Sequence, residues 1–165
     1  PQRAIPIGNK TAVETQGDWL LRAVLLYNRH GIKRAFYYQL FDDNTSAIQY
    51  STSGLAEDKT LERRPAADYA LQVTKLMGDY EYKATINQDP LVDVYQSGNK
   101  KMYVLLIPDE KGRTGEYTLD FGTAKNIIVH SLKTGATSME ATKEPTTNGK
   151  FTMIASETPI FVEAE

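Results

Sequence analysis

The run IKRAFYYQLF, Ile32 to Phe41, constrains the fold of this chain more than any other stretch. It is rich in β-branched and aromatic residues, and between Ala35 and Phe41 only Gln39 is strongly polar. Such a run predicts a strand buried on both faces, as in a parallel sheet covered by helices. A strand of that kind needs a neighbour on each side, because its N–H and C=O groups have no water to turn to. No second run of the same kind lies near it, so its partners are to be sought elsewhere.

The flanking segments read as helices. Thr11-Ala12-Val13-Glu14 has the form of a capping box, and apolar residues follow at Val13, Leu20, Leu21, Val24, Leu25 and Tyr27 with helical spacing. Asn28-Arg29-His30-Gly31 supplies a cation and a glycine at the carboxyl end, which predicts a helix from roughly Thr11 to His30. A polar loop runs from Asp42 to about Glu62. Arg63-Arg64-Pro65 then opens a second helix, with Asp68 near its positive end, a stripe of Ala67, Ala70, Leu71, Thr74 and Met77, and Gly78 as its stop.

After Gly78 the texture changes to short apolar runs separated by turn residues. The predicted strands are Glu81–Ile86, Leu91–Gln96, Lys101–Ile107, Glu116–Phe121, Asn126–Ser131, Ala136–Glu140, Lys150–Ala155 and Pro159–Glu163. Ser97-Gly98-Asn99, Asp109-Glu110-Lys111-Gly112, Thr134-Gly135 and Thr147-Asn148-Gly149 mark tight antiparallel turns. The expected fold class is therefore α/β plus all-β. Residues 1–78 supply the last strand and helices of a (β/α)8 barrel, and residues 79–165 an antiparallel β-sandwich. In the competing reading, the amino-terminal half adds its strand to a different α/β sheet or pairs in a homodimer.

Composition narrows the function by exclusion. With 19 Lys and Arg against 21 Asp and Glu, the formal charge of −2 provides no basic field for nucleic acid. The chain has no cysteine, which removes disulfides and thiolate metal sites. No apolar run approaches the roughly 20 residues of a membrane-spanning helix, so neither nucleic acid nor a membrane is an expected partner. His30 and His130 lie far apart without metal-ligand spacing, and no metal is expected. Trp19 has core spacing with Leu20 and Ala23, and Lys100-Lys101 reads as a solvated pair flanking a turn.

The segments GDWLLRAVLLYNRHGIKRAFYYQLFDDN and ERRPAADYALQVTKLMGDY resemble the end of the catalytic barrel in retaining glycoside hydrolases of the paired-glutamate (β/α)8 clan, nearest to family 39. ETPIFVEAE resembles the last strand of the β-sandwich that follows that barrel. The resemblance implies hydrolysis by two carboxyl groups, one acid/base and one nucleophile, without a cofactor. In the clan these glutamates end the fourth and seventh barrel strands, neither of which this chain contains. PQRAIPIGNKT resembles the loop after the seventh strand, so the nucleophile is expected upstream of Pro1, and the chain alone is expected to be inactive. The implied partners are a carbohydrate substrate and the amino-terminal barrel segment of the same protein as a second chain. The implied home is secreted or periplasmic.

Alternation along Ile32–Phe41 places Ala35, Tyr37, Gln39 and Phe41 on one face, read as the lumen side, and Phe36, Tyr38 and Leu40 on the other. In the clan an aromatic residue near the end of this strand forms the sugar floor. Gln39 stands at that place, which implies a hydrogen bond to a sugar hydroxyl, with Tyr37 or Phe41 as apolar surface. Gln39 alternatively satisfies a buried backbone group. Asp42, Asp43 and Asn44 follow at the catalytic end, and either bind sugar hydroxyls or cap the loop through Asx-type bonds. Arg3 and Asn9 in the opening loop are placed near the same end. A different reading makes the chain a non-catalytic carbohydrate-binding or structural β-sandwich module, in which exposed members of Tyr80, Tyr82, Tyr95, Tyr103 and Tyr117 hold the sugar.

Overall fold

The computed structural model describes residues 4–43 and 51–165. Arg3 and Asn44 lie outside these residues. Among the described residues the chain forms two helices, α1 (Ala12–Arg29) and α2 (Pro65–Met77), followed by eight strands. They fall into two compact units, one of residues up to Leu76 together with Lys133–Ser138, the other of Met77–Leu132 and Met139–Glu165. No helix of the described residues is long and apolar enough to cross a membrane.

The capping box at the start of α1 is present in full. The Thr11 N–H donates to Glu14 Oε2 at 2.7 Å, and the Glu14 N–H donates to Thr11 Oγ1 at 3.3 Å. At the other end the Gly31 N–H bonds the Asn28 carbonyl and the Ile32 N–H bonds the Tyr27 carbonyl. That Schellman pair needs a left-handed residue, and Gly31 supplies it at φ +72. α1 buries Leu21 and Leu25, and a Cβ added at Gly17 would come within 2.9 Å of the Tyr69 ring, so the two helices cross where α1 has no side chain.

α2 has the predicted bounds but a different buried face. Ala66, Tyr69, Val73 and Met77 are buried, together with Asp68 and Gln72, whereas Thr74 of the predicted stripe is exposed. The two polar residues disguised this face; the segment Lys133–Ser138 engages both, and Asp68 Oδ1 faces Arg63 Nε at 2.9 Å. Gln72 Nε2 donates to the carbonyls of Lys133 and Ala136, Gln72 Oε1 accepts from the Lys133 N–H, and Asp68 Oδ2 accepts from the Gly135 N–H.

In the second unit β1 (Glu81–Gln88), β2 (Leu91–Ser97), β3 (Lys100–Leu106), β5 (Asn126–Ser131), β6 (Glu140–Pro145) and β8 (Ile160–Ala164) form an antiparallel sheet in the order β1-β2-β3-β8-β5-β6. β4 (Gly115–Asp120) pairs with β7 (Lys150–Ala155) in a second sheet. Val92, Leu105, Ile127 and Val162 from the large sheet pack with Leu119, Met153 and Ala155 from the small one, which makes the expected sandwich. The sixth strand differs from the expectation of Ala136–Glu140. It is Glu140–Pro145, a polar and mostly exposed edge strand paired only with β5, so it carries no apolar alternation to read.

The run Ile32–Phe41 also differs from its prediction. It makes no ladder among the described residues beyond a single parallel bridge from Phe41 to Ala56. Phe36, Tyr38 and Leu40 are 93%, 69% and 61% exposed, where a doubly buried strand was expected. The hydrogen-bonding neighbours that such a strand requires are not among the described residues.

Candidate functional site

The end of the apolar run is held in place by the segment Ser51–Ala56. The N–H groups of Leu55 and Ala56 donate to the carbonyls of Gln39 and Leu40, and those of Asp42 and Asp43 donate to the carbonyls of Ala56 and Ser51. The two stretches approach so closely that a Cβ at Gly54 would lie 2.5 Å from the Asp42 nitrogen and 2.6 Å from the Phe41 carbonyl carbon.

Asp42 locks this arrangement. Its Oδ1 accepts from the Gly54 N–H at 2.8 Å and from Arg64 Nη1 at 3.0 Å, and its Oδ2 faces Arg64 Nη2 at 2.5 Å. Arg64 Nη1 donates further to the carbonyls of Thr52 and Gly54. The guanidinium therefore reads both carboxylate oxygens in a fork and ties them to the loop and to the start of α2. Both oxygens of Asp42 thus have protein partners, and these are distant in sequence rather than the Asx-type neighbours expected of a local loop cap.

The other candidates are differently placed. Tyr37 and Phe41 are exposed, Gln39 is half-buried, and Asp43 is exposed directly beside the locked Asp42. Burial, with Tyr27 close by, pushes the Tyr37 phenol above its ordinary value and keeps it a hydrogen-bond donor. Tyr37 and Phe41 are also less exposed than Phe36, Tyr38 and Leu40, so the alternation read from the sequence survives in the burial pattern. Trp19 is half-buried, and its Nε1 is a buried donor without a hydrogen-bond partner among the described residues. Arg64 was missed at the sequence level, where Arg63-Arg64-Pro65 read only as a helix start. Nothing in the sequence separates Arg64 from Arg63, because its acid partner lies 22 residues away across a loop closure.

Among the described residues no group of three or more His, Asp or Glu side chains converges in a way that would hold a metal ion. Nor do any two carboxyl groups of the segment 37–43 face each other across an open space, since Asp42 is engaged with Arg64. What this end of the run offers is a polar and aromatic surface, Tyr37, Gln39, Phe41 and Asp43, on a rigidly clamped turn. Such a surface can hold hydroxyl-rich ligands but has no acid/base pair of its own.

No protein-family model matches the sequence, and no curated protein matches it. Solved structures do. A family 39 glycoside hydrolase from Bacteroides cellulosilyticus WH2 aligns with a TM-score of 0.72 at 19% identity, over 93% of this chain and 31% of its own. A family 30 subfamily 8 xylanase from Clostridium acetobutylicum aligns with a TM-score of 0.58 at 15% identity, over 90% of this chain and 39% of its own. An Anoxybacillus alpha-amylase aligns with a TM-score of 0.53 at 12% identity, over 93% and 33%. The chain thus spans between 31% and 39% of the length of these solved proteins. At such identities the likeness is one of fold, and the chain has the fold of a part of these glycoside hydrolases, in keeping with a barrel end followed by a β-sandwich.

Proposed function

We propose that this chain is the carboxy-terminal part of a glycoside hydrolase and supplies one wall of its substrate cleft, while the catalytic glutamates reside on a barrel segment upstream. In this reading Tyr37, Gln39, Phe41 and Asp43 face the sugar, and Asn44, outside the described residues, stays a candidate from the sequence alone. Asp42 and Arg64 hold the turn that presents them, and the sandwich is a structural companion of the barrel. The chain by itself is inactive, and its home is outside the cytoplasm, where polymeric saccharides are met.

The observation that carries the proposal is the exposure of Phe36, Tyr38 and Leu40 at the end of a run whose sequence demands burial. Leaving an aromatic or leucine side chain in water forfeits about 1.5–3 kcal/mol each relative to burial, a cost that the outer helices of a completed barrel would remove. The fold shared with part of several glycoside hydrolases supports the same reading.

The test compares this chain alone with a polypeptide that also contains the upstream barrel segment, on xylan, β-glucan and chromogenic β-glycosides. Hydrolysis is expected only from the longer polypeptide. In that protein Gln39→Ala is expected to lower kcat/KM by an amount matching one lost polar contact, about 1–3 kcal/mol. Hydrolysis by this chain alone at the same molar rate, or none by the longer polypeptide on any of these substrates, would overturn the proposal.

A further inference from the structure

A groove of about 660 Å3 opens at one end of the β-sandwich, where the β2–β3 turn, β3, the residues after β4 and the end of β8 converge. Its volume falls within the roughly 300–1,000 Å3 of small-molecule sites. Lys101 and Tyr103 alternate along β3 and so lie on one face of the strand. The Tyr103 ring meets Phe121 edge to face, with centroids 5.3 Å apart and planes at 81°. Both rings pack against the sandwich core, so this apolar floor is in position before any ligand arrives.

The polar groups around the floor are mixed in sign. Lys100 and Lys101 line the groove and have no carboxylate partner among the described residues. Asp120, in the lining, uses Oδ1 to accept from the Gly122 N–H at 2.8 Å, and its second oxygen can accept from a ligand hydroxyl. Burial, and then the nearby Asp120 charge, push the Tyr103 phenol up, so it is a donor at neutral pH. The remaining acids are engaged: Glu163 pairs with His130 at 3.0 Å and Glu165 with Lys143 at 2.5 Å.

An anion would meet Asp120 and Glu163 as well as the lysines, and a cation would meet the lysines. A neutral ligand with an apolar face and hydroxyls that both donate and accept satisfies the aromatic floor, the ammonium groups and the carboxylate together. We infer that this groove binds a neutral oligosaccharide, with a pyranose laid against Tyr103 and Phe121 and its hydroxyls shared between Lys101 and Asp120. The site lies wholly within the sandwich unit and does not depend on the barrel reading above.

The test titrates the full chain with xylohexaose, cellohexaose and maltohexaose and follows the backbone amides by heteronuclear NMR. Saturable shifts are expected at Lys101, Tyr103, Phe121 and Gly122 for at least one hexasaccharide. Ala164→Arg, which fills the groove from an exposed position, and Lys101→Ala are each expected to weaken that binding at least about tenfold while the remaining amides stay where they were. The exposed Lys101 keeps the test decisive should Ala164→Arg disturb the fold. No saturable shift with any of the three sugars, unaltered affinity in the folded variants, or shifts confined to residues 37–43 would overturn the inference. The last outcome would at the same time favour the cleft reading.

Discussion

Replacing Arg64 by methionine leaves the Asp42 carboxylate charged and nearly sealed from water. The side chains of Arg64 and Asp42 are 10% and 7% exposed, so solvent cannot take over the role of the guanidinium. Removing one member of a buried ion pair costs about 3–5 kcal/mol, because an uncompensated charge remains inside. The carbonyls of Thr52 and Gly54 lose their donor in the same step. A loss of this size is a large fraction of the roughly 5–15 kcal/mol that holds a domain together. Guanidinium denaturation, read together with hydrogen exchange at the Gly54 and Ala56 amides, measures it. Adding Asp42→Asn removes the charge yet keeps an oxygen for the Gly54 N–H, so the double variant is expected to be more stable than Arg64→Met alone. A cost below about 1 kcal/mol for Arg64→Met would mean that the pair behaves like an exposed one. Together with a double variant no better than the single one, that result would refute the clamp.

Further outcomes follow from close contacts and caps. Gly54→Ala forces a Cβ to 2.5 Å from the Asp42 nitrogen, and since backbone cannot rotate aside, a loss of at least about 1–3 kcal/mol is expected in the same denaturation assay. Gly17→Ala gains about 1 kcal/mol of helix propensity but presses on the Tyr69 ring at 2.9 Å, so net destabilisation is expected from thermal melts. Glu14 is held below its ordinary carboxylate value first by the Thr11 N–H and then by the Thr11 hydroxyl. A depressed folded-state value contributes stability above the unfolded value of about 4.3, and this stability is lost as pH falls through the lower folded one. Thr11→Ala is expected to cost about 0.5–2 kcal/mol at neutral pH and to flatten that acid dependence, as followed by circular dichroism. Residues 79–165 produced alone are expected to unfold cooperatively, and residues 1–78 alone are not, which denaturant titration of the two pieces decides.

Local chemistry made much of this fold legible. The capping box at Thr11 and the Asn28–Gly31 end fix α1, and Pro65 opens α2 at the position read from the sequence. Strands with inward apolar residues, such as Asn126–Ser131 and Lys150–Ala155, match their predicted bounds. What failed depended on distant partners. The buried face of α2 contains Asp68 and Gln72, held there by backbone donors and acceptors of a segment more than sixty residues away and, for Asp68, by Arg63 as well. The edge strand Glu140–Pro145 is polar because it faces water, and nothing in its spacing announces a strand. Near the candidate site the lesser exposure of Tyr37 and Phe41 beside Phe36, Tyr38 and Leu40 follows the alternation of the sequence, whereas the Arg64 fork was hidden in a loop closure. Tyr103 was one of five tyrosines the sequence offered to a sugar, but its groove could not be singled out, since it joins residues from β3, the β4 turn and β8.

The most direct test of the central claim is amide hydrogen exchange across Ala35–Phe41, measured in this chain alone and in a polypeptide extended upstream through the barrel segment. If the run is a barrel strand awaiting its neighbours, these amides exchange in the chain alone at close to coil rates and slow by about three orders of magnitude or more in the extended protein. Equal exchange in the two proteins would contradict the claim, and Ile32–Phe41 would then be an exposed segment with no place in a barrel.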